Sequence, residues 1–334
     1  MSEERKIHVR SVPPPQHIED ISLTSTPDLF LIDYLLTQRQ KTGEYVSYKG
    51  GTIATYISEQ NPEIPLILFS TRYILNQNPN YLEQVQVVDD ILYKDDVNED
   101  VEYAKKFLIT IVNGFNKIKS IDIKKRNWKS LVELMGANKY EEENLQLSSP
   151  PKPMANGLLR IHSVAKWILQ VLFKYPGIFY NSLYAASALG ISESSFLRKG
   201  VQLYFEDALY DRVFSEMEKR WWKGRLQQIG FKFIQDANLK PILSKNFMIA
   251  FQKITDIELE PSICVTSGET HANTVCYILN KPVKMKYTIG YLPDERPESM
   301  EQARVSYKAV IEKDIKEELI PKADAERLPS IRGG

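Results

Sequence analysis

Three short apolar runs near the N-terminus each end in a polar side chain. The first ends in Asp33, the second in Ser70 and the third in Lys94. Longer polar and mixed segments separate the runs, which is typical of parallel strands joined by crossover helices. In such sheets, functional side chains lie just beyond the carboxyl ends of the strands. We therefore expect Asp33, Ser70 and Lys94 to lie along one edge of a parallel sheet.

An acid after one strand, a hydroxyl after the next and a lysine after the last resembles the receiver domain of response regulators. The resemblance covers about residues 5–115 and implies a flavodoxin-like fold. It further implies that Asp33 is the phospho-acceptor, Ser70 the switch hydroxyl and Lys94 the cation that pairs with the phosphoryl group.

The sequence departs from the receiver pattern in ways that bear on phosphorylation. Only one strand-and-helix unit fits before residue 28, so the first strand and its Mg²⁺-binding acidic pair are missing. Asp95 follows Lys94, where receivers usually have proline. Phosphoryl transfer depends on metal ions to neutralise charge, and Mg²⁺ prefers several oxygen ligands. We therefore expect a truncated pseudo-receiver and no bound cofactor, with Mg²⁺ the less favoured alternative. A generic flavodoxin-like α/β layer with ordinary polar strand ends is the alternative to the receiver-like fold.

Charge and hydropathy exclude several classes of protein. Lys plus Arg and Asp plus Glu both number 43, so the chain has no overall attraction for nucleic acid or anionic membranes. No apolar run reaches the roughly 20 residues that span a bilayer. The first residues lack the apolar core of a signal peptide. We expect a cytoplasmic protein without a membrane partner and with nucleic acid an unlikely ligand.

Composition shifts divide the chain into five expected segments. Residues 1–116 form the receiver-like α/β domain, and 117–153 form a helical linker that ends in a proline-rich stretch. Residues 154–256 are mainly helical, and 257–320 form a small α+β module. Residues 321–334 form a flexible tail whose final Arg-Gly-Gly carries no assigned role.

The helical segment contains a pattern shaped like a helix-turn-helix around Gly190. Its second helix offers Arg198, Lys199 and Gln202 to a DNA groove, but acidic residues follow directly. A core helical hairpin is the favoured interpretation, and DNA reading is the alternative.

A long helix is predicted over residues 208–225. Its end places two adjacent tryptophans between basic residues, a combination common in interface hot spots. The interface candidates are Arg220, Trp221, Trp222 and Arg225. Packing of both tryptophans inside a domain core is the alternative.

Two cysteines occur with the spacing of two zinc knuckles. Cys264 and Cys276 each begin a short turn, but the second cysteine of each knuckle is absent. Zn²⁺ favours four soft ligands in a tetrahedron, and the two cysteines supply only two of them. His271 is the nearest candidate for a third ligand. The segment resembles a degenerate zinc ribbon or treble clef in which Cys264, Cys276 and His271 are vestigial ligands. We expect free thiols in an apolar core and no zinc, with a retained zinc site as the alternative.

No nucleophile, phosphate-loop or metalloprotease motif is present, and the carboxylate pairs Asp89–Asp90 and Asp95–Asp96 are expected to be solvated at loop edges. We expect a non-enzymatic signalling or scaffold component that docks a protein partner, with a homo-oligomer also open. One alternative is a phosphorylation-responsive DNA-binding regulator. Another is an enzyme subunit completed by a partner in a bacterial multi-gene system, such as one for phage defence, an idea that is an analogy from architecture.

Overall fold

A computed structural model describes residues 7–21, 26–36, 46, 48–77, 86–293, 296–313 and 315–333. Its contacts divide the chain into two units. The first comprises Met1–Ala137, Pro150–Gln170 and Arg212–Met217, and the second comprises Asn138–Ser149, Val171–Asp211 and Glu218–Gly334. The expected mixed α/β character is confirmed, with a three-stranded parallel sheet near the N-terminus and small antiparallel sheets later. The expected boundaries after residues 116, 153 and 256 stay predictions.

The sheet of the first unit contains the three predicted strands, β1 (Phe30–Asp33), β2 (Leu66–Ser70) and β3 (Asp90–Tyr93). Their order is β1-β2-β3, and both pairings are parallel. The central strand β2 is apolar throughout its first three residues, all of which are inaccessible to solvent. A strand covered on both faces favours such a continuous apolar run. The strand expected before residue 28 is not seen among the described residues, since 7–15 have no regular structure.

Helices accompany and follow these strands along the chain. In chain order they are α1 (Gly50–Gln60), α2 (Arg72–Asn76), α3 (Lys94–Glu99), α4 (Val101–Lys119), α5 (Trp128–Met135), α6 (Lys139–Gln146) and α7 (Ile161–Lys166), of which α6 belongs to the second unit. The long helix α4 begins where Asp100 accepts a hydrogen bond from the Tyr103 amide at 3.0 Å. Its apolar residues recur at helical spacing, so one face is buried.

The second unit is mainly helical at its centre. A π-helical stretch, Trp167–Leu172, leads to β4 (Phe179–Tyr180), followed by α8 (Ser182–Leu189), α9 (Glu193–Leu197), α10 (Lys199–Gln202), β5 (Leu209–Tyr210), β6 (Arg220–Trp222), α11 (Lys223–Asp236) and α12 (Leu243–Thr255). Strands β4, β6 and β5 form an antiparallel sheet in that order. Helices α8, α11 and α12 share one apolar core with β6.

The helix predicted over residues 208–225 is wrong. The segment instead contains β5, a loop and β6, which places Trp221 opposite both Tyr180 and Leu209. In a strand, adjacent side chains point to opposite faces, so both tryptophans become buried on the two faces of β6. A helical pattern of the same residues would have placed them only about 100° apart.

The C-terminal part is built from two hairpins and short helices. Its elements are β7 (Thr274–Cys276), β8 (Lys281–Val283), β9 (Thr288–Tyr291), β10 (Ala303–Ser306), α13 (Tyr307–Glu312), α14 (Lys322–Ala325) and α15 (Leu328–Arg332). The expectation of a flexible tail after residue 320 is wrong for the described residues. Leu328 and Ile331 are buried in the same apolar cluster as the strands, which anchors α15.

Candidate functional site

The carboxyl ends of the three parallel strands meet at one edge of the sheet. Asp33 is the last residue of β1 and pairs with Phe69, while Ser70 is the last residue of β2 and pairs with Tyr93. Lys94 follows β3 directly. Parallel pairing in this register therefore aligns the three predicted positions along the same edge, which we call the carboxyl edge.

Asp33 and Lys94 form a direct ion pair at this edge. Lys94 Nζ lies 2.6 Å from Asp33 Oδ2, although 61 residues separate them in the chain. The Asp33 side chain is 40% exposed and that of Lys94 is 29% exposed. The other oxygen, Asp33 Oδ1, accepts a hydrogen bond from the Leu35 amide at 3.1 Å. Solvent screens such a pair, so it contributes only about 0–1 kcal/mol to stability.

The position of Asp33 depends on a glycine in α1. A Cβ atom added at Gly50 would lie 2.2 Å from the Asp33 carbonyl oxygen. The Gly50 amide donates a hydrogen bond to the Tyr34 carbonyl at 3.1 Å. Only glycine allows α1 to approach the end of β1 this closely, so its first turn positions the residue that carries the carboxylate.

Ser70 lies at the same edge but does not join the ion pair. Its side chain is buried, and its hydroxyl has no hydrogen-bond partner among the residues that the structure describes. The next residue, Thr71, caps α2 by accepting a hydrogen bond from the Ile74 amide. The structure therefore brings two of the three predicted groups into contact and places the third nearby as an unsatisfied hydroxyl.

A second ion pair, which the sequence interpretation missed, lies at the starts of α2 and α3. Arg72 Nη1 lies 2.6 Å from Asp96 Oδ1, and the Arg72 backbone amide donates to Asp95 Oδ2 at 2.8 Å. The hydrogen bond to Asp96 raises the pKa of Arg72. The guanidinium also lies 4.3 Å from the centre of the Tyr93 ring. The only signal in the sequence was position, since Arg72, Asp95 and Asp96 lie two or three residues after strand ends.

The carboxylates of the carboxyl edge are thus matched by protein cations. Asp33 is paired with Lys94, and Asp95 and Asp96 are engaged by Arg72. Among the described residues, no group of three His, Cys, Asp or Glu side chains is arranged to hold a metal ion. A Mg²⁺ ion favours carboxylate and water oxygens in octahedral geometry, so each of these cations competes for the ligands it would need.

At the opposite, amino edge of the sheet, Asp89 is not solvated as expected. Its side chain is wholly buried, and both carboxylate oxygens lie within 2.9 Å of His162 Nδ1. Oδ2 also accepts a hydrogen bond from the Leu66 amide at 2.8 Å. A buried carboxylate requires donors that replace water, and Asp89 finds them on β2 and α7. Its side chain therefore links the start of β2 to α7.

The interface candidates make their contacts inside the second unit. Trp221 and Trp222 are buried in the core around β6, so their assignment to an interface surface is wrong. The guanidinium of Arg220 lies 4.6 Å from the centre of the Phe173 ring. Arg225 contacts both oxygens of the buried Glu141 at 2.6 Å. The two tryptophans therefore pack in the core, and the two arginines bind an aromatic ring and a buried carboxylate inside the same unit.

The two cysteines lie in the C-terminal apolar cluster, as expected. Each thiol has its own backbone donor: the Lys284 amide lies 3.4 Å from Cys264 Sγ, and the Ser306 amide lies 3.3 Å from Cys276 Sγ. His271 Nδ1 instead lies 3.2 Å from the Gly190 carbonyl oxygen. The His271 imidazole therefore contacts the backbone of Gly190, which lies outside the turns at Cys264 and Cys276.

The turn at Cys264 directs hydrogen-bond donors at its thiol. Burial raises the pKa of the Cys264 thiol, but hydrogen bonds from Ser267 and from nearby backbone amides outweigh it and leave the pKa below its ordinary value. Gly268 closes the turn with φ of 71° and donates to the Cys264 carbonyl at 2.9 Å. Converging amides of this kind stabilise a thiolate whether or not a metal is bound.

No protein-family model, curated protein or solved structure matches this chain. Across the described ranges, no helix combines the length and the apolar character that crossing a membrane requires.

Proposed function

We propose that this protein is a non-enzymatic signalling or scaffold component whose N-terminal α/β layer is a pseudo-receiver that docks a protein partner. The observation that carries the proposal is the ion pair between Asp33 and Lys94 at the ends of consecutive parallel strands. The strand order β1-β2-β3, with an acid, a hydroxyl and a lysine at successive strand ends, supports the receiver resemblance.

The charge balance of the carboxyl edge supports a pseudo-receiver over a phosphorylated one. A phosphoryl group on Asp33 would need a metal ion beside it to offset charge as the bond forms. Lys94 and Arg72 already neutralise the carboxylates from which such a metal site would be made. Asp33 is therefore held as a charge partner of lysine.

Docking rather than stability explains the exposure of these groups. Exposed ion pairs add little to folding, but charges of both signs on a partner surface set orientation and association rate. Tyr73, beside Arg72, is 73% exposed, and tyrosine and arginine are enriched in interface hot spots. We name Asp33, Arg72, Tyr73, Lys94 and Asp96 the rim surface.

Affinity purification of the full chain from its source cells tests the docking role. Lys94→Glu and Tyr73→Ala should each remove a specific co-purifying protein, because one reverses a charge and the other truncates an exposed aromatic ring. Lys106→Glu is the matched control, since Lys106 is an exposed lysine on α4 outside the rim surface. If wild type and both rim variants retain the same proteins, the rim surface is not the docking site.

A chemical test separates this proposal from a live receiver. The full chain is incubated with acetyl phosphate and Mg²⁺, and intact mass is measured with wild type and Asp33→Asn. We expect no added phosphoryl group in either protein. An Asp33-dependent gain would replace the pseudo-receiver with an active phospho-acceptor.

The DNA-binding alternative has less support from the second unit. The helix that would read DNA ends at Leu197, and Arg198 is bonded to the backbone carbonyl of Glu258. Gln202 accepts a hydrogen bond from Lys219 at 3.0 Å. Side chains engaged in this way are not presented to base edges, which a reading helix requires.

A further inference from the structure

A cleft in the second unit has no role in the proposed docking function. One part encloses about 750 Å³ and lies between the start of α12 and the segment around β8. A neighbouring part encloses about 440 Å³ beside α11 and β10. Both parts are lined by Ser244, Asn273 and Met285, so they adjoin, and we call the two together the α12 cleft. The volume of each part falls in the range of small-molecule sites.

One end of the α12 cleft carries excess positive charge. Lys245, Lys284 and Lys286 line it, and no carboxylate of the described residues does. Lys284 and Lys286 share a single acid, Glu269, at 2.6 and 3.1 Å. Hydrogen bonds from Lys284, Tyr287 and Lys286 lower the pKa of Glu269 to about 2, so one negative charge is present at neutral pH. Lys245 has no ion-pair partner in the part of the chain that the structure describes, and its side chain is exposed.

The start of α12 adds donors at the same end. The residue before the helix, Ile242, provides no side-chain cap, so the first amides of the helix are left for other acceptors. Ser244 and Lys245 lie in this first turn and line the cleft. A helix start supplements the lysine charge because its partial positive charge favours anions.

The other end of the α12 cleft combines apolar side chains with amides, and its cation, Arg304, already donates a hydrogen bond to Thr288. Phe231 is 41% exposed and Met285 is 44% exposed, although both side chains are large and apolar. The amide side chains Gln227 and Gln302 line the same part. The acid at this end, Glu301, is already bonded to the Tyr180 hydroxyl and lies 2.7 Å from Lys223 Nζ. An aromatic ring with amide groups suits a planar, hydrogen-bonding base.

We propose that the α12 cleft binds a nucleoside phosphate. The phosphates lie among Lys245, Lys284 and Lys286, and the base lies against Phe231 at the amide-rich end. The division of one cleft into a cationic end and an aromatic, amide-lined end is the observation that carries this assignment. The proposal is independent of the rim surface, since every lining residue belongs to the second unit.

Calorimetric titration of the full chain with ATP, inorganic triphosphate and adenosine tests the proposal. ATP should bind most tightly, because it alone reaches both ends of the cleft. Lys245→Glu should weaken ATP and triphosphate by about tenfold or more, as expected for reversing a charge beside phosphate. Phe231→Ala should weaken ATP and leave triphosphate unchanged.

Lys232→Glu is the matched control, because Lys232 is an exposed lysine on α11 that does not line the cleft. It should leave all three affinities unchanged. Lys245→Gln serves as a second variant if Lys245→Glu does not fold, and it should weaken ATP in the same direction.

Three results would overturn the assignment. One is the absence of ATP and triphosphate binding at millimolar concentration. Another is an equal loss in the Lys245 and Lys232 variants, which would show attraction by overall charge alone. The third is tight binding of a single-stranded oligonucleotide that ATP does not displace, which would make the cleft a nucleic-acid groove.

Discussion

The two edges of the N-terminal sheet carry acid–base pairs in opposite environments. At the amino edge, Asp89 is wholly buried and contacts His162 and the Leu66 amide. At the carboxyl edge, Asp33 is 40% exposed and contacts Lys94. The distances are similar, 2.8 and 2.6 Å, so exposure and not geometry separates the pairs.

This difference in exposure predicts that the two pairs contribute differently to the stability of the fold. Removing one partner from a buried pair leaves a polar group without water, which destabilises strongly. Removing one partner from an exposed pair lets water replace it, which costs little. We therefore expect the amino edge to hold the fold together, while the exposed charges of the carboxyl edge contribute little to stability.

The largest effect is expected from Asp89→Ala. The substitution leaves His162 Nδ1 and the Leu66 amide without their buried acceptor, and we expect a loss of about 3 kcal/mol. Hydrogen exchange of peptides that cover β2 and β3 measures it. Asp89→Asn, which keeps an acceptor oxygen, should lose less. Equal protection in wild type and Asp89→Ala would show that the pair is not structural.

Gly50→Ala should have the next largest effect. The added methyl would meet the Asp33 carbonyl at 2.2 Å, so β1 or α1 must shift at a cost of about 2 kcal/mol. Faster hydrogen exchange in the β1 peptide is the expected signal. Gly200→Ala is the control, because the nearest atom there lies 4.0 Å away. If both variants exchange like wild type, α1 does not constrain the site.

Asp90 should make stability depend on pH at the amino edge. Burial raises the pKa of Asp90 to about 7, and the nearby Asp89 adds to the shift while the Ile91 amide opposes it. The value in the unfolded chain is near 3.8, so the folded state binds more protons between these values. This contribution to stability is fully present below about pH 4 and is lost as pH rises through 7.

Asp90→Asn should therefore be more stable than wild type at pH 8, by on the order of 1 kcal/mol. Urea unfolding at pH 5 and pH 8 measures the change in each protein. Wild type should lose more stability than the variant between these two values. An identical loss in both would assign the pH dependence to another group.

The smallest effect on stability is expected from Asp33→Asn and from Lys94→Met. Both groups are partly exposed, so each variant should lose at most about 1 kcal/mol in urea unfolding. A loss as large as that of Asp89→Ala would show that the carboxyl edge also supports the fold, and the contrast between the edges would fail.

The carboxyl edge was predictable because parallel strands obey simple geometry. Apolar runs mark β1, β2 and β3, and the residue that ends each run must lie at the same edge. That rule anticipated the contact between Asp33 and Lys94 across 61 residues. It did not anticipate that the Ser70 hydroxyl would be buried with no hydrogen-bond partner in the described part of the chain.

The amino edge was not predictable by any comparable rule. Asp89 and His162 are 73 residues apart, and neither lies in a motif. The tryptophans at 221 and 222 fit a helix and a strand equally well by composition, and only packing on both faces of β6 selected the strand. Glu141 and Arg225 likewise met across 84 residues.

Local pattern therefore specified the strands, their ends and the candidate residues at the carboxyl edge, because strand period and apolar runs act over a few neighbouring positions. Packing specified which acids are buried, which tryptophans are core and where the cationic cleft opens. Burial depends on contacts between distant segments, and the free energy of desolvation that sets the role of each charge exists only once those segments meet.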